Sequence, residues 1–197
     1  MGHCQLDIKG LIDTPLFECE VICLYNIFNQ FKDYIYNDLK GVTDPFHGND
    51  VYRHEQEDAT FTGAEASWSQ QLSENWAFDM SADIVSARLV DGGSLPRTPP
   101  ASLLMGLDWM SSQWEARAEI RAVAEQTETA ENEDNSDGFL MVNASVGYLF
   151  MMPSSELTVS LDGRNLTDQY AVNHVSYLKR AAPLPGRDIR LGLRWAF

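Results

Sequence analysis

The last ten residues of the chain alternate strictly between two kinds of side chain. The even positions from Asp188 to Ala196 are polar or small, and the odd positions from Ile189 to Phe197 are all large and apolar. A β-strand has a side-chain period of two, so this spacing places every apolar side chain on one face. Such a strand needs an apolar phase on one side and water on the other, and it is predicted to lie at a boundary between the two.

The same alternation recurs along the rest of the chain. It is clearest at 114–125, where mostly alanines alternate with glutamates and arginines, because a helix would scatter those charges around its circumference. The earliest segment also fits a helical stripe. We predict antiparallel strands, each paired with its sequence neighbour, at 22–36, 59–71, 76–88, 102–110, 114–125, 139–150, 156–168 and 188–197.

The predicted connections alternate between short and long. Short turns fall at 73–75, 111–113 and 151–155, and long loops at 37–58, 89–100, 126–138 and 170–187. An up-and-down outer-membrane barrel is built in this way, with tight turns on its periplasmic side and long loops outside the cell. The pattern therefore favours a transmembrane β-barrel wall.

The five tryptophans support the same interpretation. Each lies beside a short turn or the C-terminus, and none lies beside a long loop; they are Trp68, Trp76, Trp109, Trp114 and Trp195. An indole ring has an apolar body and a polar N–H, which suits the interface between lipid and water. We expect one aromatic girdle at the turn end of the barrel.

Composition and charge exclude other classes of protein. No apolar run approaches the roughly 18 residues of a transmembrane helix. The net charge of −15 argues against a nucleic-acid partner, and the acidic run at 125–137 is typical of a solvated loop. The three cysteines support neither a disulfide framework nor a metal knuckle. No catalytic motif is present, so an enzyme is not expected.

Several segments together resemble one family. They are Leu24-Tyr25-Asn26 through Phe31-Lys32-Asp33-Tyr34-Ile35-Tyr36, Phe61 to Glu65, Asp162 to Asp168, and His174 to Phe197. In this order they are similar to the C-terminal part of the barrel of TonB-dependent outer-membrane receptors. The resemblance covers 21–197 and implies about eight strands of an all-β, antiparallel, up-and-down barrel that has about 22 strands when whole.

The resemblance also implies a function, a location and partners. Such receptors lie in the bacterial outer membrane and take up scarce metal chelates or vitamins with energy from the TonB complex. The TonB-contacting part would lie outside this chain. Because no signal-peptide pattern precedes the first predicted strand, residues 1–20 are expected to be non-native or disordered. Lipid and lipopolysaccharide would surround the barrel.

The C-terminal tail resembles the sorting pattern that the barrel-assembly machinery recognises. The residues that carry this likeness are Arg190, Gly192, Trp195 and Phe197. We therefore expect the assembly machinery to be a partner of this strand.

The last long loop is similar to the zinc-uptake branch of these receptors, through Asn173 to Lys179 and Pro183 to Arg187. Imidazole and carboxylate groups suit zinc. His47, His54 and His174 are the candidate ligands, and zinc would be the transported ion, since no bound cofactor is expected. Ordinary surface histidines are the alternative interpretation.

Two other architectures fit the strand pattern. A complete eight-stranded outer-membrane barrel requires the first and last strands to pair. A soluble lipocalin-like binder requires the apolar faces to point inward around a ligand. Exposed side chains at Trp76, Ile120, Leu191 and Leu193 would exclude the soluble binder.

Overall fold

The computed structural model describes residues 19–197, with side chains from residue 23 onward. They form a single sheet of eight strands in which every neighbouring pair is antiparallel and the spatial order is the sequence order. The strands are β1 (Cys19–Thr43), β2 (Asp50–Gln71), β3 (Trp76–Leu89), β4 (Ser102–Met110), β5 (Trp114–Val123), β6 (Phe139–Met152), β7 (Ser155–Arg164) and β8 (Asp188–Ala196). The predicted up-and-down topology is confirmed.

The eight predicted strands match the observed strands in number, order and pairing. The segment with the clearest period, 114–125, is β5, and the segment that also fitted a helical stripe is β1. The described residues include no helix long and apolar enough to cross a membrane. The expected separate segment 1–20 falls mainly on residues 1–18, which lie outside the described residues, so this boundary stays a prediction.

The predicted loop at 37–58 is wrong, because most of it is strand. β1 and β2 continue as a long hairpin, and only residues 44–49 connect them. Polar residues on this hairpin form cross-strand contacts. Lys40 in β1 bonds Asp38 and Glu55 at 2.7 Å each, and opposite charges on paired strands stabilise a ribbon.

The predicted end of the seventh strand at residue 168 is also wrong. β7 ends at Arg164, because Asn165 and Asp168 adopt positive φ angles of 46° and 53°. This left-handed conformation is incompatible with an extended strand, and Asn and Asp tolerate it better than most residues.

The strand register sorts the side chains onto two faces. Trp195, Leu157, Phe150 and their register partners share the apolar face, and all five tryptophans lie on it near the short turns. The opposite face, called here the charged face, carries carboxylates and guanidinium groups. Its members include Asp79, Asp83, Asp108, Glu115, Arg117, Glu119, Arg121, Asp162, Arg190 and Arg194. The predicted tryptophan girdle therefore lies on one face at one end of the sheet.

The sheet is open. Among the described residues, β1 and β8 are not neighbours and make no contact, so the alternative of a complete eight-stranded barrel is wrong. Leu191 and Leu193 are each 70% exposed, and Trp76 and Ile120 are 42% and 37% exposed. These apolar groups do not surround a ligand, so the lipocalin-like alternative is also wrong.

Candidate functional site at the loop end of the sheet

The long loops fold over the charged face at one end of the sheet, called here the loop end. Near that end the charged face itself becomes apolar, and two loops bury hydrophobic side chains on it. The buried members are Ala59, Ala87 and Leu95 in one cluster, and Phe139, Met141 and Ala171 in the other. Leu95 belongs to the β3–β4 loop and Ala171 to the β7–β8 loop, so burial of apolar surface directs both loops inward.

Glu133, in the β5–β6 loop, joins three loops through its carboxylate. The backbone N–H of Arg97, in the β3–β4 loop, donates to both carboxylate oxygens at 3.0 and 3.1 Å. The backbone N–H of Ala130 donates at 3.3 Å and the Lys179 ammonium at 3.4 Å. His174 Nε2 lies 3.4 Å from the same carboxylate. Lys179 and His174 both belong to the β7–β8 loop.

The Glu133 side chain is only 8% exposed, yet it is ionised at neutral pH. Burial by itself raises the pKa of its carboxyl group. The nearby His174 ring, the backbone N–H groups of Ala130 and Arg97, and the charge of Lys179 outweigh burial and lower the pKa to about 2. Hydrogen bonds to the charged form of a carboxyl group have this effect.

His174 is almost fully enclosed, with 1% of its side chain exposed. Its Nδ1 lies 2.9 Å from Ser136 Oγ, which fixes the orientation of the ring. Its Nε2 is buried and makes no hydrogen bond, although Glu133 Oε1 is 3.4 Å away. A shift of a few tenths of an ångström would complete a bond between these two groups.

Further ionic contacts join the same loops to the β1–β2 hairpin. Arg180 pairs with Asp134 of the β5–β6 loop and lies 3.7 Å from Asp50 of β2. Lys179 donates to the Asp134 carbonyl at 2.6 Å. The Arg180 guanidinium lowers the pKa of the Asp134 carboxyl group, so this pair is charged at neutral pH.

Aromatic stacking supplies a further link to the hairpin. The Arg97 guanidinium lies 4.0 Å from the Tyr177 ring centroid and 5.9 Å from that of Tyr52. Asn37 Nδ2 donates to the Tyr177 hydroxyl at 2.6 Å. Cation–π contacts of this kind fix the planar Arg head against the rings. The β3–β4 and β7–β8 loops therefore meet on the hairpin.

The three candidate metal ligands lie in different places. His47 is in the hairpin turn, 74% exposed, with Nδ1 2.5 Å from Asp44 Oδ2. His54 is exposed on β2, opposite Asn37, and His174 is enclosed beside Glu133. No group of three or more His, Cys, Asp or Glu residues that could hold a metal ion occurs in the part of the chain that the structure describes. The ligand assignment stays a prediction.

The sequence did not distinguish the residue that joins the loops. Glu133 is one of several acidic residues in the run at 125–137, which was interpreted as solvated as a whole. Arg97 and Lys179 are single basic residues in other loops. Nothing in their spacing indicates that they converge on one carboxylate, because the contact depends on how three loops fold.

The charged face has its own ionic network in the middle of the sheet. Arg117 bonds Asp79 at 2.6 Å and Asp108 at 2.5 Å, and lies 3.4 Å from Glu119. Gly106 leaves room for the guanidinium, because a Cβ there would lie 2.1 Å from Arg117 Nη2. Three neighbouring strands are thus cross-linked on this face.

The residues proposed as an assembly signal lie on both faces of β8. On the charged face, Arg190 pairs with Asp188, and Gly192 lies opposite Ser160, whose hydroxyl occupies the space of a Cβ. On the apolar face, the Trp195 and Phe197 ring centroids are 6.2 Å apart. Their recognition by assembly machinery stays a prediction.

The chain matches the family described as TonB dependent receptor-like, beta-barrel, over residues 27–166, which is well over half of its length. The chain belongs to this family. TonB-dependent receptors are outer-membrane transport proteins, and the expectations of an outer-membrane barrel and of no enzymatic activity are thereby confirmed. No curated protein matches the chain.

Solved structures of similar fold confirm the barrel architecture. A structure titled "Copper transporter OprC" has a TM-score of 0.71 at 23% identity, and the match covers 88% of this chain and 27% of that one. The ferric-catecholate import receptor Fiu from Escherichia coli K12 gives 0.60 at 16% identity, covering 86% and 24%. A structure of the FpvAI–pyocin S2 complex gives 0.64 at 15% identity, covering 88% and 24%.

The chain spans about a quarter of the length of these three proteins. The open sheet, with unpaired outer edges on β1 and β8, agrees with a portion of a larger barrel. The charged face corresponds to the barrel interior and the apolar face to the lipid side. None of these three proteins is named for zinc.

Proposed function

We propose that this segment is part of the wall of a receptor that imports a scarce metal ion or metal chelate across the outer membrane, with energy supplied by the TonB complex. The observation that carries the proposal is the family match over residues 27–166. Two proteins of similar fold are titled as a copper transporter and a ferric-catecholate import receptor, which favours a metal-containing substrate.

The surroundings of the barrel follow from the same proposal. Lipid and lipopolysaccharide would contact the apolar face, where Leu191, Leu193 and Trp195 are exposed. The barrel-assembly machinery would recognise β8 through Arg190, Gly192, Trp195 and Phe197. TonB would contact a part of the receptor outside this chain.

The finer proposal is that the ion is zinc and that His47, His54 and His174 contribute to its capture. It is supported by the resemblance of Asn173 to Lys179 and of Pro183 to Arg187 to the zinc-uptake branch, and by the exposed His47 ring beside Asp44. Imidazole binds zinc in its neutral form, so capture would weaken below about pH 6. His174 would have to leave its enclosed position to bind an ion.

The test of the general proposal is growth and metal uptake after deletion of the receptor gene. Cells are grown with zinc, copper or a ferric catecholate as the limiting nutrient, and cellular metal is measured. A deficit in one of the three, restored by the intact gene, identifies the substrate class. Normal growth and uptake under all three limitations would contradict metal import.

The test of the zinc proposal is titration of the purified full-length receptor with zinc. The triple variant His47→Ala, His54→Ala, His174→Ala is expected to bind zinc more weakly than the wild type. A receptor carrying Asn49→Ala, Gln56→Ala and Asn173→Ala, with neutral changes in the same segments, is the matched control. Equal zinc affinity in the triple variant and the wild type would remove the three histidines from the proposal.

A further inference from the structure

Glu133 is the one carboxylate in the described residues whose contacts reach the β3–β4, β5–β6 and β7–β8 loops together. Two of its four partners are the backbone N–H groups of Arg97 and Ala130, and the other two are the Lys179 and His174 side chains. A charged group that is 8% exposed depends strongly on its partners, because an unpaired buried charge is costly. Moving any one of the three loops would therefore leave Glu133 incompletely paired.

His174 reinforces this dependence from the other side. Its ring is anchored by Ser136 in the β5–β6 loop, although His174 itself belongs to the β7–β8 loop. Its unpaired Nε2 faces the Glu133 carboxylate at 3.4 Å. A buried polar atom without a partner destabilises its surroundings unless a bond forms, and Glu133 Oε1 is the carboxylate oxygen within reach.

We propose that these three loops move as one rigid cap, held together by Glu133, and that they do not open independently. The cap also contacts the hairpin. The Arg180 ion pairs, the Arg97 guanidinium beside the Tyr177 ring and the bond from Asn37 to the Tyr177 hydroxyl join the two. Leu95 of the cap is in addition buried against Ala59 of β2, so a displaced cap also loses these contacts.

Only contacts within the chain hold the cap together, so the cap does not depend on which ligand is transported. A substrate that reaches the charged face would pass the cap through a concerted displacement of residues 90–101, 124–138 and 165–187. A loop that opened alone would exchange its Glu133 contacts for contacts with water.

Amide hydrogen exchange of the full-length receptor tests the cap. Each loop contains a bonded backbone N–H whose exchange reports on the order of that loop: Leu95 bonds Ala87 of β3, Ser136 bonds Gln126, and Leu184 bonds Ala171. In Glu133→Gln, exchange of the peptides carrying these three amides is expected to accelerate together, by at least about tenfold. The matched control is Glu131→Gln, an exposed neighbour in the same loop, for which no acceleration is expected.

A second variant tests the coupling in the opposite direction. Lys179→Met changes only the β7–β8 loop, yet it should accelerate exchange at Leu95 and Ser136 as well. Barrel folding in each variant is checked by heat-modifiable migration on gels, which depends on the strands and not on the loops. Acceleration confined to the loop that carries the substitution, or to none, would overturn the proposal, whatever the receptor transports.

Discussion

The middle of the sheet and the loop cap are held together in different ways. In the sheet, many equivalent backbone bonds and a two-residue side-chain period repeat across eight strands. In the cap, one carboxylate receives bonds from backbone and side chains of three loops. A substitution in the sheet therefore acts through the face it occupies, whereas a substitution in the cap acts through the individual partner that it loses.

The largest loss of stability is expected when a charge is placed on the lipid side of the sheet. Leu193→Arg should destabilise the receptor by about 2–4 kcal/mol if the residue lies near the bilayer midplane, because lipid cannot solvate the guanidinium. Arg194→Leu, one residue further on the charged face, should have a small effect. Urea unfolding of the receptor refolded into liposomes measures both. Equal losses for the two variants would show that the faces are assigned wrongly.

A smaller loss of stability is expected when an ion pair on the charged face is removed. Arg117→Met removes the partner of Asp79 and Asp108 and leaves two half-buried carboxylates close together, at a cost of about 1–2 kcal/mol. Arg121→Met is the control, since its guanidinium lies 5.7 Å from the Phe139 ring centroid and this contact contributes about 0.5–1 kcal/mol. Urea unfolding in liposomes measures the stability of both variants. A larger loss for Arg121→Met would mean that the Arg117 network contributes little to stability.

The sheet could be predicted from the sequence because its determinants are local. The alternation in 114–125 and 188–197 depends only on neighbouring residues, and each short turn defines the next pairing. The hairpin at 37–58 could not be predicted in the same way. Its strands are polar on both faces, so the pattern lacks an apolar side, and Lys40 finds Glu55 only after the ribbon has formed.

The cap could not be predicted because its contacts join residues far apart in sequence. Glu133 and Arg97 are 36 residues apart, and Glu133 and Lys179 are 46 apart. No periodic signal connects such positions. His174 was predicted from the sequence only as a candidate zinc ligand, and the sequence could not show that its ring would be enclosed beside a carboxylate.

The cap should also respond to acid. The pKa of Glu133 is lowered from 4.5 to about 2 by its partners, so its contribution to loop stability is complete above pH 4.5 and is lost as the pH falls toward 2. Exchange of the peptide carrying Ser136, corrected for the intrinsic effect of pH, should accelerate over this range. The acceleration should be weaker in Glu133→Gln, where some remains because Asp134 is also stabilised in its charged form. Identical pH profiles would assign the change to other carboxylates.

The smallest effect on stability is expected at the last residue. Phe197 is fully exposed and contacts Trp195 only at a ring separation of 6.2 Å, so its deletion removes little packing and should leave unfolding of the refolded receptor nearly unchanged. Assembly in cells should depend on Phe197 if this terminal aromatic is part of the sorting pattern with Arg190, Gly192 and Trp195. The deletion should then lower the amount of receptor recovered from outer membranes, while Phe197→Tyr, which retains the ring, should not. Full recovery of the deletion variant would remove Phe197 from the assembly signal, and a large loss of stability in liposomes would show that its role is structural.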